Sequence, residues 1–279
     1  MQIPVLTYHG VNIISNSYPE NDHIALASDL RTIHALGFRV ISLRQVFDWH
    51  QGLFSCSGVS NPVAITFDDG SWFDFYDLEH PTCGFQRGML GILQDFQTEL
   101  KQGQQPDLHA SSFVISSPEA RAELDKKGLI GKGWWGDEWW PLAIESGLLA
   151  VECHSWDHNH PDLDRVAQRD QRKGSFSFID NLDDCKTQLA KAGDYIQSQL
   201  NGARPSFFAY PWGETNEYLL KTYMPEHQCE HGFKAAFTTD PRPVRRGDSR
   251  WSLPRFIFGR DWKSSSELEH ILMESSTGN

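Results

Sequence analysis

Short apolar segments recur along the whole chain, and longer stretches of mixed polarity separate them. The short segments are rich in β-branched and aromatic residues, which is typical of buried β-strands. They predict eight strands, at residues 3–7, 38–42, 63–67, 112–115, 148–153, 206–210, 235–238 and 255–258.

Three of the separating stretches carry apolar side chains near the helical period, at residues 29–36, 89–101 and 183–200. The first of them follows Ser28, a candidate N-cap, and ends at Gly37. Strands that alternate with helices indicate a parallel α/β architecture, and eight strands in one chain favour a (β/α) barrel. In such barrels the catalytic groups lie at the carboxyl ends of the strands.

The chain contains no internal repeat, low-complexity tract or linker. We therefore predict one domain over residues 1–279, with a core at about 3–258 and a helical tail at 264–279. No apolar run approaches the roughly 20 residues that a membrane-spanning helix needs. The first residues lack the basic and apolar regions of a secretory signal, so the expected location is the cytoplasm, or outside the cell if a signal has been removed.

The net charge of −12 argues against a nucleic-acid partner, because phosphate binding needs a basic surface. The five cysteines include no Cys-x-x-Cys pair, which favours free thiols in a reducing compartment over a disulfide framework. Four tryptophans lie within residues 134–140. They indicate either packing beneath a long loop or a surface on which sugars stack. The oligomeric state stays open.

Two acidic residues, Asp68 and Asp69, follow directly after a predicted strand. Neighbouring side chains diverge in an extended chain, but a turn at Gly70 would let both carboxylates face one cavity. The alternative is an acidic turn without chemistry, because Asp and Gly are common turn residues.

Three histidines lie within residues 154–160, also directly after an apolar run. His154 and His158 have a spacing that one helical turn or a tight loop can bring to one metal ion. A polar surface loop is the alternative, and His160 is interpreted as a neighbour of the site or a surface residue. One Asp with two His would supply three ligands and leave a position open for water, as catalytic metal sites do. The other Asp could then be the base.

Two further strand ends carry candidate groups. Residues 206–213 end in a turn with Pro and Gly, and such a turn exposes backbone amides that can stabilise an oxyanion; the alternative is an ordinary entry into a loop. His9 ends the first predicted strand. A lone histidine is usually a packing or surface residue, but its place at a strand end favours a role in the site.

Together these motifs resemble those of the polysaccharide deacetylases, the family-four carbohydrate esterases with a NodB-homology domain. Residues 66–70 are similar to the family's first motif and the His-Ser-x-x-His of residues 154–158 to its metal motif. Residues 208–213 are similar to its third motif, with Trp212 where tyrosine is usual. The resemblance extends over about residues 3–258 and implies a distorted (β/α) barrel of about seven strands.

The resemblance also implies roles for the motif residues. Asp68 would be the catalytic base, and Ser155 would orient the metal loop. One divalent metal ion, zinc in the first place with cobalt or nickel as substitutes, would be bound by Asp69, His154 and His158. The substrate and its oxyanion would meet Tyr210, Pro211 and Trp212, with the Trp212 amide holding the oxyanion.

Two positions depart from the pattern of most members. Ala209 stands where many carry an arginine, and their late Leu-x-His motif with a catalytic histidine is missing. In this respect the chain is more similar to a subgroup that acts on poly-N-acetylglucosamine, in which a Tyr-His near the N-terminus supplies the acid. His9 would then be the general acid, and Arg255 would replace the missing arginine.

The implied reaction removes N-acetyl groups from a poly- or oligosaccharide that contains N-acetylglucosamine. One alternative is an amidohydrolase of a small cyclic amide on the same fold, although the complete ligand set argues against a metal-free member. The other is a non-catalytic carbohydrate-binding protein, which would suit the tryptophans but would not need Asp68 beside the ligands.

Overall fold

The computed structural model describes residues 1–53, 61–128 and 130–277. Buried apolar side chains from nearly all parts of these ranges form the core, from Ile3 to Leu272. The strands in these ranges are β1 (Val5–His9), β2 (Arg39–Val40), β3 (Pro62–Asp69), β4 (Leu78–His80), β5 (Gly84–Gln86), β6 (Ala110–Val114), β7 (Leu149–Cys153), β8 (Phe207–Ala209), β9 (Ala235–Phe237) and β10 (Phe256–Ile257).

Seven strands form one curled sheet in the order β10-β1-β3-β6-β7-β8-β9, and β2 adds to it beside β3. All neighbours in this sheet are parallel, whereas β4 and β5 form a separate antiparallel hairpin. The ends of the sheet, β9 and β10, have no ladder between them in the described ranges; a bridge from Phe237 to Leu253 connects this region. The result is a distorted (β/α) barrel with a seam between β9 and β10.

The barrel interior is filled by side chains from opposite walls. Phe113 of β6 and Phe237 of β9 have ring centroids 5.9 Å apart, although β7 and β8 separate their strands in the sheet. Val5 belongs to the same buried cluster, whereas Leu6 and Ile65 pack into a second, larger cluster. Alternate residues of a strand face opposite sides, so strands covered on both faces give continuous apolar runs.

Helices surround the sheet, and none in the described ranges is long and apolar enough to cross a membrane. They are α1 (Asp22–Ala35), α2 (Leu43–His50), α3 (Met89–Glu99), α4 (Pro118–Gly128), α5 (Trp140–Glu145), α6 (Leu182–Cys185), α7 (Ala192–Gln199), α8 (Met224–Glu226), α9 (Gln228–His231) and α10 (Ser265–Thr277). π-helical segments are Lys186–Lys191 and Leu219–Tyr223, and 3-10 turns are Tyr18–Glu20, Trp72–Asp74, Phe176–Phe178 and Pro211–Gly213.

The predicted strands are all present, with ends that differ by a few residues. The predicted start of the first helix at residue 29 is wrong. α1 begins at Asp22, because the Asn21 side chain accepts hydrogen bonds from the backbone N–H groups of His23 and Ile24. The predicted helix 183–200 is present but contains the π-helical segment Lys186–Lys191.

Two compositional predictions can be compared with the structure. Trp139 and Trp140 are fully buried, so the tryptophan-rich segment contributes to the core, while Trp135 reaches a cavity described below. The cysteines in the described ranges are free thiols, and Cys56 lies outside those ranges.

Candidate active site

A cavity of about 350 Å³ opens at the carboxyl ends of the barrel strands. Side chains from several strand ends and from the loops that follow them form its wall. Its lining residues are His9, Asn12, Asp68, Asp69, Ile115, Trp135, His154, His158, His160, Trp212, Thr239, Ile257 and Arg260.

The end of β3 directs both neighbouring carboxylates into this cavity. Asp68 is paired in register with His9 on β1. At Asp69 and Gly70 the backbone turns into the left-handed region, with φ of 78° and 74°. In an extended chain the Asp69 side chain would point away from the side that Asp68 faces, and the left-handed turn brings it back to that side. The left-handed conformation is costly for a residue other than glycine. Trp135 stabilises the turn, because its indole Nε1–H donates to the Asp69 carbonyl at 3.0 Å.

Asp69, His154 and His158 form a cluster of three potential metal ligands. The Asp69 Oδ1 atom lies 3.7 Å from Nε2 of His154 and 3.8 Å from Nε2 of His158. The three ligand atoms all lie within 4.8 Å of one another. Both imidazole rings are buried, and Asp69 is partly exposed toward the cavity.

Hydrogen bonds from the protein orient the two imidazole rings. Nδ1 of His154 lies 2.8 Å from the carbonyl oxygen of Ala209, so this nitrogen donates and Nε2 keeps its lone pair. The loop to His158 turns at Ser155, whose φ is 73° and whose Oγ accepts from the His158 backbone N–H at 2.9 Å. Burial lowers the pKa of His158 well below its usual value, which keeps that ring neutral.

Asp68 is held by an arginine from the other end of the chain. Arg255 Nη1 and Nη2 donate to Asp68 Oδ1 and Oδ2 at 2.7 and 2.8 Å, and the guanidinium is fully buried. Burial alone would raise the pKa of the Asp68 carboxyl, but the charge and hydrogen bonds of Arg255 hold it below its usual value. Nε2 of His154 is 4.0 Å from Asp68. Asp68 and Arg255, which the sequence assigned to the site separately, are therefore in contact.

His9 lines the same cavity at the end of β1, on the strand next to Asp68. The Asp22 carboxylate at the start of α1 accepts from the His9 backbone N–H at 2.7 Å and lies 4.0 Å from the ring Nδ1. Burial raises the pKa of Asp22 to about 7, although the charge of His9 opposes that shift. Two later histidines of the chain lie away from this cavity: His231 is packed in the core, and His270 is exposed on α10.

The three residues of the third motif have different positions. The Tyr210 hydroxyl donates to the Trp251 carbonyl and its amide to the Phe237 carbonyl, so both groups are occupied. Pro211 is buried and has no N–H. Trp212 lies at the cavity, with its ring centroid 4.3 Å from that of His158 in an edge-on arrangement. Among these three residues, the Trp212 amide is therefore the one suited to an oxyanion.

No protein-family model and no curated protein match the sequence. Solved structures match nearly the whole chain. IcaB from Ammonifex degensii is 19% identical with a TM-score of 0.64, and the match covers 99% of this chain and 97% of that one. The Streptococcus pyogenes deacetylase PplD, in complex with acetate, is 19% identical with a TM-score of 0.64 and 98% coverage of both chains. A polysaccharide deacetylase from Bacillus cereus is 15% identical with a TM-score of 0.60, covering 98% of this chain and 69% of that one.

The chain has the polysaccharide-deacetylase fold. The barrel predicted from the sequence motifs is thereby confirmed.

Within this polysaccharide-deacetylase fold, the ligand cluster fits a divalent metal ion. Ligand atoms about 2.0–2.1 Å from a tetrahedral zinc ion lie roughly 3.3 Å apart. The 3.7 and 3.8 Å distances from Asp69 to the two histidines are close to that value. Two imidazoles and one carboxylate form a donor set that zinc binds and that leaves a fourth position open.

The sequence motifs did not indicate two residues of the site, Asp22 and Trp135. Asp22 follows Asn21, whose N-cap pattern would have predicted a helix start and hence an acidic residue beside the end of β1. Trp135 was part of a tryptophan-rich segment with no distinguishing mark. His160 lies at the cavity rim, with its ring centroid 5.5 Å from that of His158, as a neighbour of the ligands.

Proposed function

We propose that this protein is a metal-dependent hydrolase that removes N-acetyl groups from poly- or oligosaccharides containing N-acetylglucosamine. The observation that carries the proposal is the pairing of two neighbouring carboxylates with different partners in one cavity. Asp69 faces two histidines, while Asp68 is bound by Arg255. Hydrolysis by an activated water needs a set of metal ligands and, beside it, a second carboxylate that can accept the proton of the water.

Asp69, His154 and His158 would hold one divalent ion, with zinc favoured by the nitrogen and oxygen donors and cobalt or nickel as substitutes. When bound, such an ion supplies Lewis acidity to the acetyl carbonyl and lowers the pKa of water.

Asp68 is the base in this proposal. Arg255 keeps its carboxylate ionised and fixes its orientation through two parallel hydrogen bonds. A low pKa makes Asp68 a weaker base, but it ensures the unprotonated state at neutral pH. The register between β1 and β3 places His9 beside this carboxylate, on the neighbouring strand.

His9 would donate a proton to the amine that leaves, and Asp22 would hold the residue through its backbone N–H. The Trp212 amide would donate a hydrogen bond to the oxyanion that develops on the acetyl carbonyl. His9 would thus act on the nitrogen of the scissile amide bond, and the Trp212 amide would act on its carbonyl oxygen.

The substrate class is inferred from the neighbours and the cavity. The structures with this fold include proteins described as deacetylases and as a polysaccharide deacetylase. Net charge of −12 is compatible with a neutral acetylated sugar and with a product that becomes cationic. The open cavity gives an acetamide access to both aspartates.

The test is a screen for acetate release from acetylated oligosaccharides, with and without a chelator, alongside small cyclic amides. We expect acetate from N-acetylglucosamine oligomers, loss of activity with chelator, and recovery with zinc, cobalt or nickel. Asp69→Asn should remain inactive when metal is restored. Turnover of cyclic amides alone would favour the amidohydrolase alternative. Sugar binding without any turnover would favour a carbohydrate-binding protein.

A further inference from the structure

The seam of the barrel lies close to the residue that would hold the oxyanion. β9 and β10 have no ladder between them in the described ranges, yet the loops after β8, β9 and β10 all reach the same cavity. Backbone hydrogen bonds cross the seam at Leu253, but none in the described ranges joins the loop after β8 directly to the loop after β10. Side chains at the mouth of the barrel make that connection.

Trp212 has a backbone conformation that needs support. Its φ and ψ are 54° and 8°, in the left-handed region that non-glycine residues rarely adopt. Such a conformation persists when the surroundings hold it. Gly213 follows with a φ of 72° and lies directly against Thr239, because a Cβ atom at residue 213 would be 2.2 Å from the Thr239 hydroxyl oxygen.

Thr239 supplies part of that support, and Arg260 supplies the rest. The Thr239 hydroxyl donates to the Trp212 carbonyl at 3.2 Å and accepts from Arg260 Nη1 at 3.1 Å. Arg260 Nη2 also donates to the Thr239 carbonyl at 2.5 Å. Asp261 anchors the guanidinium through Nε and Nη2 at 2.9 and 2.7 Å, and its carboxylate accepts from the Ile257 backbone N–H.

We propose that Thr239 and Arg260 are positioning residues that hold the Trp212 turn across the seam and so aim its amide at the oxyanion. This inference rests on the proposed function, which gives that amide its task. The carbonyl and the amide of Trp212 belong to peptide planes that share one Cα atom. The bond to the Trp212 carbonyl and the packing of Gly213 on Thr239 together hold residue 212 at its left-handed φ and ψ, and those two angles set the direction of its amide. The edge-on contact of the Trp212 ring with His158 is held in place at the same time.

The kinetic test compares Thr239→Val with Thr239→Ser, which keeps the hydroxyl, and adds Arg260→Ala. Losing an oxyanion donor costs about 10²–10³ in kcat, so a donor that is only displaced should cost about tenfold. We expect Thr239→Val and Arg260→Ala to lower kcat about tenfold with KM changed less than about twofold, because the interaction strengthens in the transition state. Thr239→Ser should match the wild type.

Matched controls exist among residues that do not line the cavity. Thr98→Val removes a similar hydroxyl bond, from Thr98 Oγ1 to the Gln94 carbonyl on α3, and Arg31→Ala removes an exposed ion pair with Glu99. Both should leave kcat unchanged. If Thr239→Val and Arg260→Ala are as active as these two controls, the positioning role is overturned.

A second measurement does not depend on activity. The heteronuclear NOE of the Trp212 amide can be measured in metal-free protein labelled with ¹⁵N-tryptophan, with the signal assigned from Trp212→Phe. We expect a lower NOE in Thr239→Val and Arg260→Ala than in wild type, Thr239→Ser and the controls. An unchanged NOE would overturn the proposal even if kcat fell. If wild type releases no acetate from any sugar, the proposed function fails while the NOE still decides whether the turn is held.

Discussion

At the scale of single residues, Asp68 and Asp69 show how two adjacent carboxylates acquire different surroundings. Asp68 is buried against Arg255, while Asp69 is turned toward two imidazole nitrogens by its positive φ. Asp68 is thereby kept charged by a permanent cation. Asp69 has an oxygen directed at open cavity space, where a metal ion can satisfy it.

Asp68→Asn should keep the metal and lose most turnover. The amide side chain has nearly the shape of the carboxylate, but it cannot accept a proton, and a general base contributes roughly 10²–10⁴-fold. Metal content and acetate release from the same preparation provide the measurement. Asp95→Asn, which changes an exposed carboxylate on α3, is the control and should keep full activity. Loss of metal in Asp68→Asn would mean that the roles of Asp68 and Asp69 are exchanged.

His9→Ala should lose far more activity toward an amide than toward an activated ester. The amine of an amide must be protonated to leave, whereas the leaving group of an activated ester departs without a proton. The measurement is kcat/KM on an acetamide and on an acetyl ester for wild type and variant. Equal losses on both substrates would instead indicate a role in binding or folding.

The sequence predicted the candidate ligands and Asp68 because adjacent motifs carried them. Arg255 was reached through the resemblance alone, since a lone arginine has no local pattern that indicates its partner. Asp22 was missed because its contact with His9 depends on where α1 begins relative to β1. Tyr210 was placed in the site by its motif, yet its hydroxyl and amide have partners within the fold.

At the scale of secondary-structure elements, the site depends on how tightly the strand ends are packed. The turn after β3 runs against β6, and a Cβ atom at Gly70 would lie 2.8 Å from the Cα atom of Val114. Backbone on a central strand cannot move aside as a flexible side chain can. The glycine therefore permits both the turn and the close approach of the two strand ends.

Gly70→Ala should destabilise the protein far more than Gly37→Ala. Both glycines have a similar positive φ, of 74° and 76°, but a Cβ atom at Gly37 would meet nothing within 4 Å. Gly37→Ala should therefore cost only the left-handed strain, about 1–2 kcal/mol, and Gly70→Ala should cost about 1–3 kcal/mol more. Urea unfolding of both variants measures the difference. Equal losses would show that Val114 yields to the added methyl group.

Glu152→Gln should change how stability depends on pH. Glu152 on β7 accepts from the backbone N–H groups of Ser206 and Phe207 at the start of β8, and burial raises its pKa to about 8. Between the ordinary glutamate pKa and about 8, the folded protein therefore holds a proton that the unfolded chain releases. The free energy of unfolding of the wild type should fall as pH rises through that window.

The neutral amide side chain of this variant cannot titrate, so the variant should lack that part of the decline. The difference at pH 9 relative to pH 4 should be on the order of a few kcal/mol, because each pKa unit corresponds to about 1.4 kcal/mol. Urea unfolding at a series of pH values gives both curves. Parallel curves would show that Glu152 keeps an ordinary pKa.

The strands were predictable because they are buried on both faces and give unbroken apolar runs. The hairpin of β4 and β5 was not, because most of its residues are partly or fully exposed and lack such a run. The start of α1 was missed because Ser28 resembles a cap, while the hydrogen bonds that begin the helix come from Asn21. The π-helical segment before α7 could not be predicted, because the spacing of apolar residues does not distinguish a π-helical turn from an α-helical one.

At the scale of the whole molecule, the ligand cluster ties together parts of the chain that are distant in sequence. Asp69 ends β3, whereas His154 and His158 follow β7. An unfolded chain does not hold these three groups together, so a metal ion that binds them binds the folded state selectively. Binding of that kind stabilises the fold as a whole.

Zinc should therefore raise the melting temperature of the metal-free protein. A free concentration of 100 times Kd contributes about 2.7 kcal/mol, which corresponds to a rise of several degrees for a chain of this size. Differential scanning calorimetry with and without zinc measures the shift. Asp69→Asn should lose most of it, and Asp95→Asn should keep it. The same rise in both variants would place the bound zinc at other residues.

The contact between Arg255 and Asp68 joins residues that are 187 positions apart. On a ribosome that adds about 5–20 residues per second, the arginine is made roughly 10–40 s after the aspartate. During that interval the emerging chain has no cation for a carboxylate that is destined for burial, and β1 has no β10 beside it. The barrel can therefore close only after nearly all of it has been synthesised, so the nascent chain passes through a long period in which its strand edges are open to chaperones.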